Sequence, residues 1–230
     1  MKSTIVNHYK IHAFRNRDQF LDQIKDEHKI LVAMNAEKIL KDDERLRQLV
    51  NANIGYPDGI GAVMALRKKG LDAVKIPGAE FWLDIIGRYK DEKTFYLIGS
   101  SQDVIERTVA KLHEDFPGVR IVNYRNGYLK AEDIAALKED LTHTKPDVVF
   151  VAQGSPRQEF LMEELMTVHP ALYMDLGGSF DVYCGLKKRA PKIFINLGLE
   201  WLYRLLKEPT RIGRQMVLVK FLALLMVGKL

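Results

Sequence analysis

Short runs of apolar, often β-branched residues alternate along the chain with longer segments in which apolar residues recur every three or four positions. The runs Ile30–Met34, Phe95–Ile98, Val119–Val122, Val148–Ala152 and Leu172–Leu176 are continuous, which predicts strands buried on both faces. Between them, Glu37–Val50, Ile60–Lys69, Ala79–Tyr89, Gln102–Asp115, Glu132–Thr142 and Arg157–Thr167 carry helical spacing. Apolar strands separated by helices imply an α/β fold, a mostly parallel sheet with helices on both faces. In open sheets of this kind ligands bind beyond the carboxyl ends of the strands. That rule singles out the polar or glycine-containing segments Asn35, Gly99-Ser100-Ser101, Gln153-Gly154-Ser155 and Gly177-Gly178.

The pattern changes after Gly185. Lys187-Lys188-Arg189-Ala190-Pro191 marks a shift in composition, and Met216–Val227 is a nearly all-apolar run of 12 residues interrupted by Lys220. A helix that crosses a bilayer needs about 20 residues, so this segment is expected to lie on a membrane surface or at an oligomer interface. The chain therefore divides into an α/β domain, residues 1–190, and a basic, apolar, helical appendage, residues 191–230. Charge divides the same way. The net charge is +5, yet from Lys187 to Leu230 there are ten Lys/Arg against two Asp/Glu, leaving 25 basic against 28 acidic residues before them. A basic tail on a mildly acidic body argues against a nucleic-acid partner and for a membrane surface or a phosphorylated lipid. Cys184 is alone, which leaves no internal disulfide and suggests a reducing compartment. The N-terminus lacks the apolar core of a signal peptide.

Tyr56-Pro57-Asp58-Gly59-Ile60-Gly61 reads in two ways: as a turn or helix cap formed by Asp58, or with Asp58 as a general base that takes the proton of an attacking hydroxyl. Gly99 ends a strand just before a helix, where successive amides can cradle a phosphate, although strand-Gly-Ser-helix junctions are common without ligands. The Gly-x-Gly-x-x-Gly fingerprint of dinucleotide enzymes is absent. In Val151–Glu159, Ser155 and Pro156 suit a helix start, but the polar cluster around Gln153, Gly154 and Gln158 exceeds what capping requires. Gln158 can hydrogen-bond a sugar or a base. The six His are scattered and no Asp-x-Asp pair occurs, so no metal site is expected. A leaving diphosphate would then be met by cations or helix N-termini. Arg204, Arg211 and Arg214 are the candidates, since guanidinium matches phosphate oxygens in a bidentate fork. Their alternative is a face toward lipid headgroups.

Taken together, Met34-Asn-Ala-Glu37, Pro57-Asp-Gly-Ile-Gly61, Gly154-Ser-Pro-Arg-Gln-Glu159 and Gly198-Leu-Glu-Trp-Leu-Tyr-Arg204 through Glu208-Pro-Thr-Arg211 resemble the bacterial WecG/TagA/CpsF glycosyltransferases. The four blocks occur in the order that family shows, and the resemblance covers about residues 30–214. Ala33 stands where some members have Thr, and Lys75, before Pro77-Gly78, where some have Arg.

The resemblance implies a Rossmann-like domain and an inverting, metal-independent transfer with no cofactor. The donor would be a UDP-sugar, of the N-acetylmannosamine type or a related hexose. The acceptor would be a polyprenyl-diphosphate-linked glycan, on undecaprenyl diphosphate, used in cell-surface polysaccharide synthesis. By matching motif, Asp58 would be the base on the acceptor hydroxyl, with Asn35 and Gln158 lining the donor-sugar pocket. Lys75, Gly99, Gln153 and Gly154 complete the expected substrate site. Arg204, Arg211 and Arg214 would meet the diphosphate of donor or lipid. The protein would work peripherally on the cytoplasmic face of the bacterial inner membrane, with self-association a further expectation. The rival reading is a nucleotide-binding module docked to a membrane or partner by its tail, without transferase activity.

Overall fold

The computed structural model describes residues 1–187, 191, 194, 202, 203 and 212–230, with the backbone alone for 212–215. Among the described residues there are eight strands: β1 (Lys2–Val6), β2 (Tyr9–Ala13), β3 (Ile30–Met34), β4 (Ile54–Pro57), β5 (Thr94–Gly99), β6 (Arg120–Arg125), β7 (Val148–Ala152) and β8 (Leu172–Asp175). They form one sheet in the order β1-β2-β4-β3-β8-β7-β5-β6, parallel throughout except for the β1–β2 pair. The described helices are α1 (Arg17–Ile24), α2 (Ala36–Ile39), α3 (Glu44–Ala52), α4 (Ile60–Lys68), α5 (Gly78–Tyr89), α6 (Gln102–Asp115), α7 (Ala131–Thr144), α8 (Arg157–Met166), α9 (Ser179–Tyr183) and α10 (Ile212–Met226).

The helices cover both faces, as the continuous apolar strands require. Ile30, Val32 and Met34 of β3 pack with α2, α3, α4, α7 and α8 on one face, while Leu31 joins α1, α5, α6 and α9 on the other. Trp82 of α5 centres the second face, with edge contacts to Phe150, Phe180 and Tyr183 at 5.6, 5.5 and 5.2 Å. The last helix of the expected appendage belongs to the first face. Phe221 and Leu225 of α10 are buried there, and the Lys68 ammonium donates to the carbonyls of Leu225 and Met226. The expected boundary after residue 190 lies outside the described residues.

Five elements, β1, β2, β4, α1 and the short α9, escape the pattern reading. β1 and β2 form a hairpin whose two-residue turn places Asn7 (φ 46°) and His8 (φ 69°) in the left-handed region, the geometry that matches strand twist. β4 is four residues long and contains both a Gly and a Pro. Its Gly55 is needed there, because a Cβ would meet the Lys10 carbonyl oxygen at 2.8 Å. α1 begins at Asn16, whose side chain accepts from the Gln19 amide. The single helix expected over Glu37–Val50 is two helices, because Asp43 caps α3 by accepting from the Leu46 amide at 3.0 Å.

Candidate active site

Five neighbouring strands, β4, β3, β8, β7 and β5, end along one edge of the sheet. At about 4.8 Å per strand these ends span roughly 19 Å. The helices after β5 and β7 pack on opposite faces, so the chain diverges between these two adjacent strands and opens the crevice where parallel sheets hold ligands.

Asn35 and Asp58 stand side by side at this edge. Met34 of β3 pairs with Pro57 of β4, so the residues that follow each strand are neighbours. The Asp58 amide donates to the Met34 carbonyl at 3.1 Å, and a Cβ on Gly59 would lie 3.3 Å from that of Asn35. Asp58 is half-buried, and its Oδ1 accepts from the amide of Gly78 at 2.8 Å, in the first turn of α5. A helix N-terminus and a donated N–H both favour the carboxylate anion. Asn35 caps α2, its Oδ1 accepting from the Lys38 amide at 3.0 Å. An N–H can only meet the oxygen, so this contact settles the carboxamide flip and leaves Nδ2 as a donor. Lys75 is half-buried in the segment before α5, where the Ile76 amide donates to the Pro57 carbonyl at 2.8 Å and ties that segment to the Asp58 turn.

On the other side of β3 the geometry assigns Gln158 a different place from an open pocket wall. It is buried, and its Oε1 accepts from the amides of Gln153 (3.3 Å), Gly154 (3.0 Å) and Gly177 (2.9 Å). Its Nε2 reaches Asp175 Oδ2 at 3.4 Å. The side chain therefore gathers the loops after β7 and β8. Gly154 (φ 82°) and Gly177 (φ 55°) supply the left-handed turns these loops need. Gln153 in turn donates to the Gly127 carbonyl at 2.7 Å, closing the loop after β6 onto the same edge. Exposed Tyr128 follows there. Gly99 (φ 149°) packs too tightly for any side chain, since a Cβ would lie 2.4 Å from the Ala152 carbonyl oxygen. The next amide, Ser100 N, donates to that same carbonyl at 3.1 Å, and Ser101 caps α6.

Beneath these loops lies a cluster the pattern reading missed. The Lys38 ammonium sits 2.7 Å from Asp175 Oδ2 and 2.5 Å from Glu159 Oε1, with all three residues buried. Asp175 Oδ1 accepts from the Ala33 amide at 2.8 Å. Burial pushes the Asp175 carboxyl up to about 6, against the pull of Lys38 and with the repulsion of Glu159. Lys38 is held above its ordinary value, its two carboxylates outweighing burial. Glu159 is held below its own by Lys38. Tyr56 is fully buried, and its hydroxyl has no hydrogen-bond partner among the described residues. Burial raises that phenol, and the charges of Asp175 and Asp58 add to the effect. The one sequence signal for the cluster was a charged residue, Asp175, closing an apolar strand.

Arg204 and Arg211 lie outside the described residues, and for Arg214 only the backbone, in α10, is described. α10 runs alongside α4 in the same sense. Phe221 faces Gly61 at the start of α4, and Leu225 and Met226 meet Lys68 at its end. The first turns of α10 therefore extend past the start of α4, toward the strand ends. No described helix is long and apolar enough to cross a membrane. Among the described residues no three His, Cys, Asp or Glu side chains converge as metal ligands.

Residues 5–230 match the model of the glycosyl transferase WecG/TagA/CpsF family. The match extends the resemblance carried by the four sequence blocks from the end of β1 through α10.

Proposed function

The chain belongs to the WecG/TagA/CpsF family of glycosyl transferases, and on that premise we propose an inverting, metal-independent transfer of a hexose, of the N-acetylmannosamine type, from a UDP-sugar to an undecaprenyl-diphosphate-linked saccharide in cell-surface polysaccharide synthesis. The observation that carries this reading is the half-buried Asp58 carboxylate, held by the Gly78 amide beside Asn35 at the open edge of the sheet. In this mechanism the acceptor hydroxyl oxygen attacks the anomeric carbon while its proton passes to Asp58. The bond from that carbon to the β-phosphate oxygen breaks, and its electron pair leaves with UDP from the opposite face. Asn35 presents Nδ2 to an oxygen of the bound sugar. Gln158 shapes the donor pocket by holding the Gln153–Gly154 loop, and Gly154, with open space where a Cβ would stand, lets the nucleotide approach backbone. Lys75, Arg204, Arg211 and Arg214 meet diphosphate charge. The segment that ends in α10 seats the protein on the cytoplasmic face of the membrane.

Asp58→Asn tests the assignment. The amide oxygen can still accept from Gly78 N, so the fold is retained while the base is lost. Base catalysis contributes about 10²–10⁴-fold, and turnover is expected to fall by that order in an assay of UDP release with a short-chain lipid-diphosphate acceptor. Near-wild-type turnover of the variant would remove Asp58 from the chemistry. Binding of UDP with no transfer by the wild-type protein, across a panel of UDP-sugars, would instead favour a nucleotide-binding module.

A further inference from the structure

Three charged side chains are buried together under the strand ends, and the transfer step uses none of them directly. Lys38 comes from α2, Glu159 from α8 and Asp175 from the end of β8. In sequence, 121 residues separate Lys38 from Glu159 and 137 separate it from Asp175. Relative exposures of 7%, 0% and 2% leave the group little contact with bulk water that could screen it. A buried ion pair of this kind is poor value as a source of stability, because desolvation offsets most of the attraction. What it supplies is a fixed geometry, since an ammonium between two carboxylates tolerates little displacement.

The contacts lead from this cluster to both halves of the proposed site. Lys38 holds α2 from below through Nζ, while its own backbone N–H holds Asn35 Oδ1 at 3.0 Å. One residue thus anchors the helix and fixes which end of the Asn35 carboxamide faces substrate. Asp175 reaches Ala33, two residues before Asn35, through Oδ1, and Gln158 through Oδ2. Gln158 then carries the amides of Gln153, Gly154 and Gly177. The Asn35 side and the Gln153–Gly154 side are joined by polar contacts through this group.

We propose that Lys38 is a positioning residue for glycosyl transfer: clamped by Asp175 and Glu159, it sets the Asn35 carboxamide against the Asp58 carboxylate and, through Gln158, sets the donor-side loop in register with them. The proposal rests on the transferase reading for its kinetic consequence but not for its structural one. Misplacement of reacting groups by about 1 Å can lower turnover about 10²-fold, and substrate binding is far less sensitive to it.

Two variants test this, Lys38→Met and the doubly substituted Lys38→Met/Glu159→Gln. The second also removes a carboxylate left without its cation, so that loss of the ion pair does not by itself unfold the protein. The expected result, in either variant that folds, is a fall in kcat of about 10²-fold with KM for the UDP-sugar changed much less. Amide hydrogen exchange should accelerate at Lys38, Ala33, Gly154 and Gly177 and stay unchanged in β5. Wild-type kcat, or unchanged exchange at those four amides, in a folded variant overturns the proposal. So does unfolding of both variants, which would make the cluster a determinant of the fold alone. If the wild-type protein transfers no sugar, the transferase reading fails by itself, and the exchange measurement still decides whether Lys38 holds the two loops.

Discussion

Asn35 and Gln158 are both carboxamides whose orientation is set by backbone amides, yet they end in opposite roles. In Asn35 the oxygen is engaged, and the proposed mechanism turns the nitrogen to the bound sugar. Both ends of Gln158 are engaged, and the residue serves the loops around it. His12 of β2 gives a residue-scale prediction away from the site. It is buried, its Nδ1 lies 3.3 Å from the Gly55 carbonyl oxygen, and burial lowers the imidazole from 6.5 to about 4. The unfolded chain therefore binds a proton between pH 6.5 and 4 that the folded chain does not. His12 thus favours unfolding as pH falls through that window, by at most about 3 kcal/mol. Asp175, raised to about 6, acts in the opposite sense, its contribution being lost as pH rises from about 4 to 6. A thermal-melt comparison with His12→Gln isolates the first effect: the gap between the two proteins should narrow or reverse from pH 7 to pH 4. A constant gap would show that His12 titrates normally. The position of Asn35 at a strand end was legible in the sequence, whereas Asp58 stood out only through its Pro-Asp-Gly turn, because β4 itself was not read as a strand. The Lys38 cluster was not legible, because a lysine in a short helix reads as solvated until partners more than a hundred residues away are brought to it.

Among the elements, α10 shows most clearly how tertiary packing qualifies a sequence pattern. Its apolar run was read as a surface for something outside the protein, and Met216, Val219, Met226 and Val227 are indeed exposed. Phe221 and Leu225 fill the body instead. Phe221 is fully buried, with Cε1 3.1 Å from where a Cβ on Gly61 would stand, so the glycine at the start of α4 is what admits the ring. No spacing rule marks Gly61 as the counterpart of a phenylalanine 160 residues later. β1, β2 and β4 escaped for a related reason: β1 is largely exposed, β2 interleaves Lys10 and His12 with its apolar residues, β4 contains a Gly and a Pro, and pairing decides them more than propensity does. Truncating a fully buried Phe leaves a cavity and typically costs about 3–5 kcal/mol. Phe221→Ala is therefore expected to lower the melting temperature by about 10 °C and to speed hydrogen exchange along α10 and α4. A loss below about 1 kcal/mol would mean that α10 is docked only loosely on α2 and α4.

At the scale of the whole molecule, the proposed transfer requires the site and the outer face of α10 to serve one lipid-borne acceptor. Met216 and Val219 are exposed at 60% and 57%, on the part of α10 that extends toward the strand ends, and Ile60 and Met64 of the adjoining α4 are exposed as well. Lys220 is exposed beside them, in a segment rich in Lys and Arg. Apolar side chains flanked by cations suit an interface with anionic lipid, each basic residue near the surface adding about 1 kcal/mol. The doubly substituted Met216→Asp/Val219→Asp protein keeps Phe221 and Leu225 buried, so its melting temperature should match that of the wild type. Its co-sedimentation with vesicles of anionic phospholipid should drop severalfold. Transfer to a long-chain lipid acceptor in such vesicles should drop with it, while transfer to a water-soluble analogue should not. Wild-type vesicle binding together with a change from dimer to monomer in sedimentation would assign the same face to a second copy of the chain. In that case the acceptor would have to reach Asp58 by some other surface.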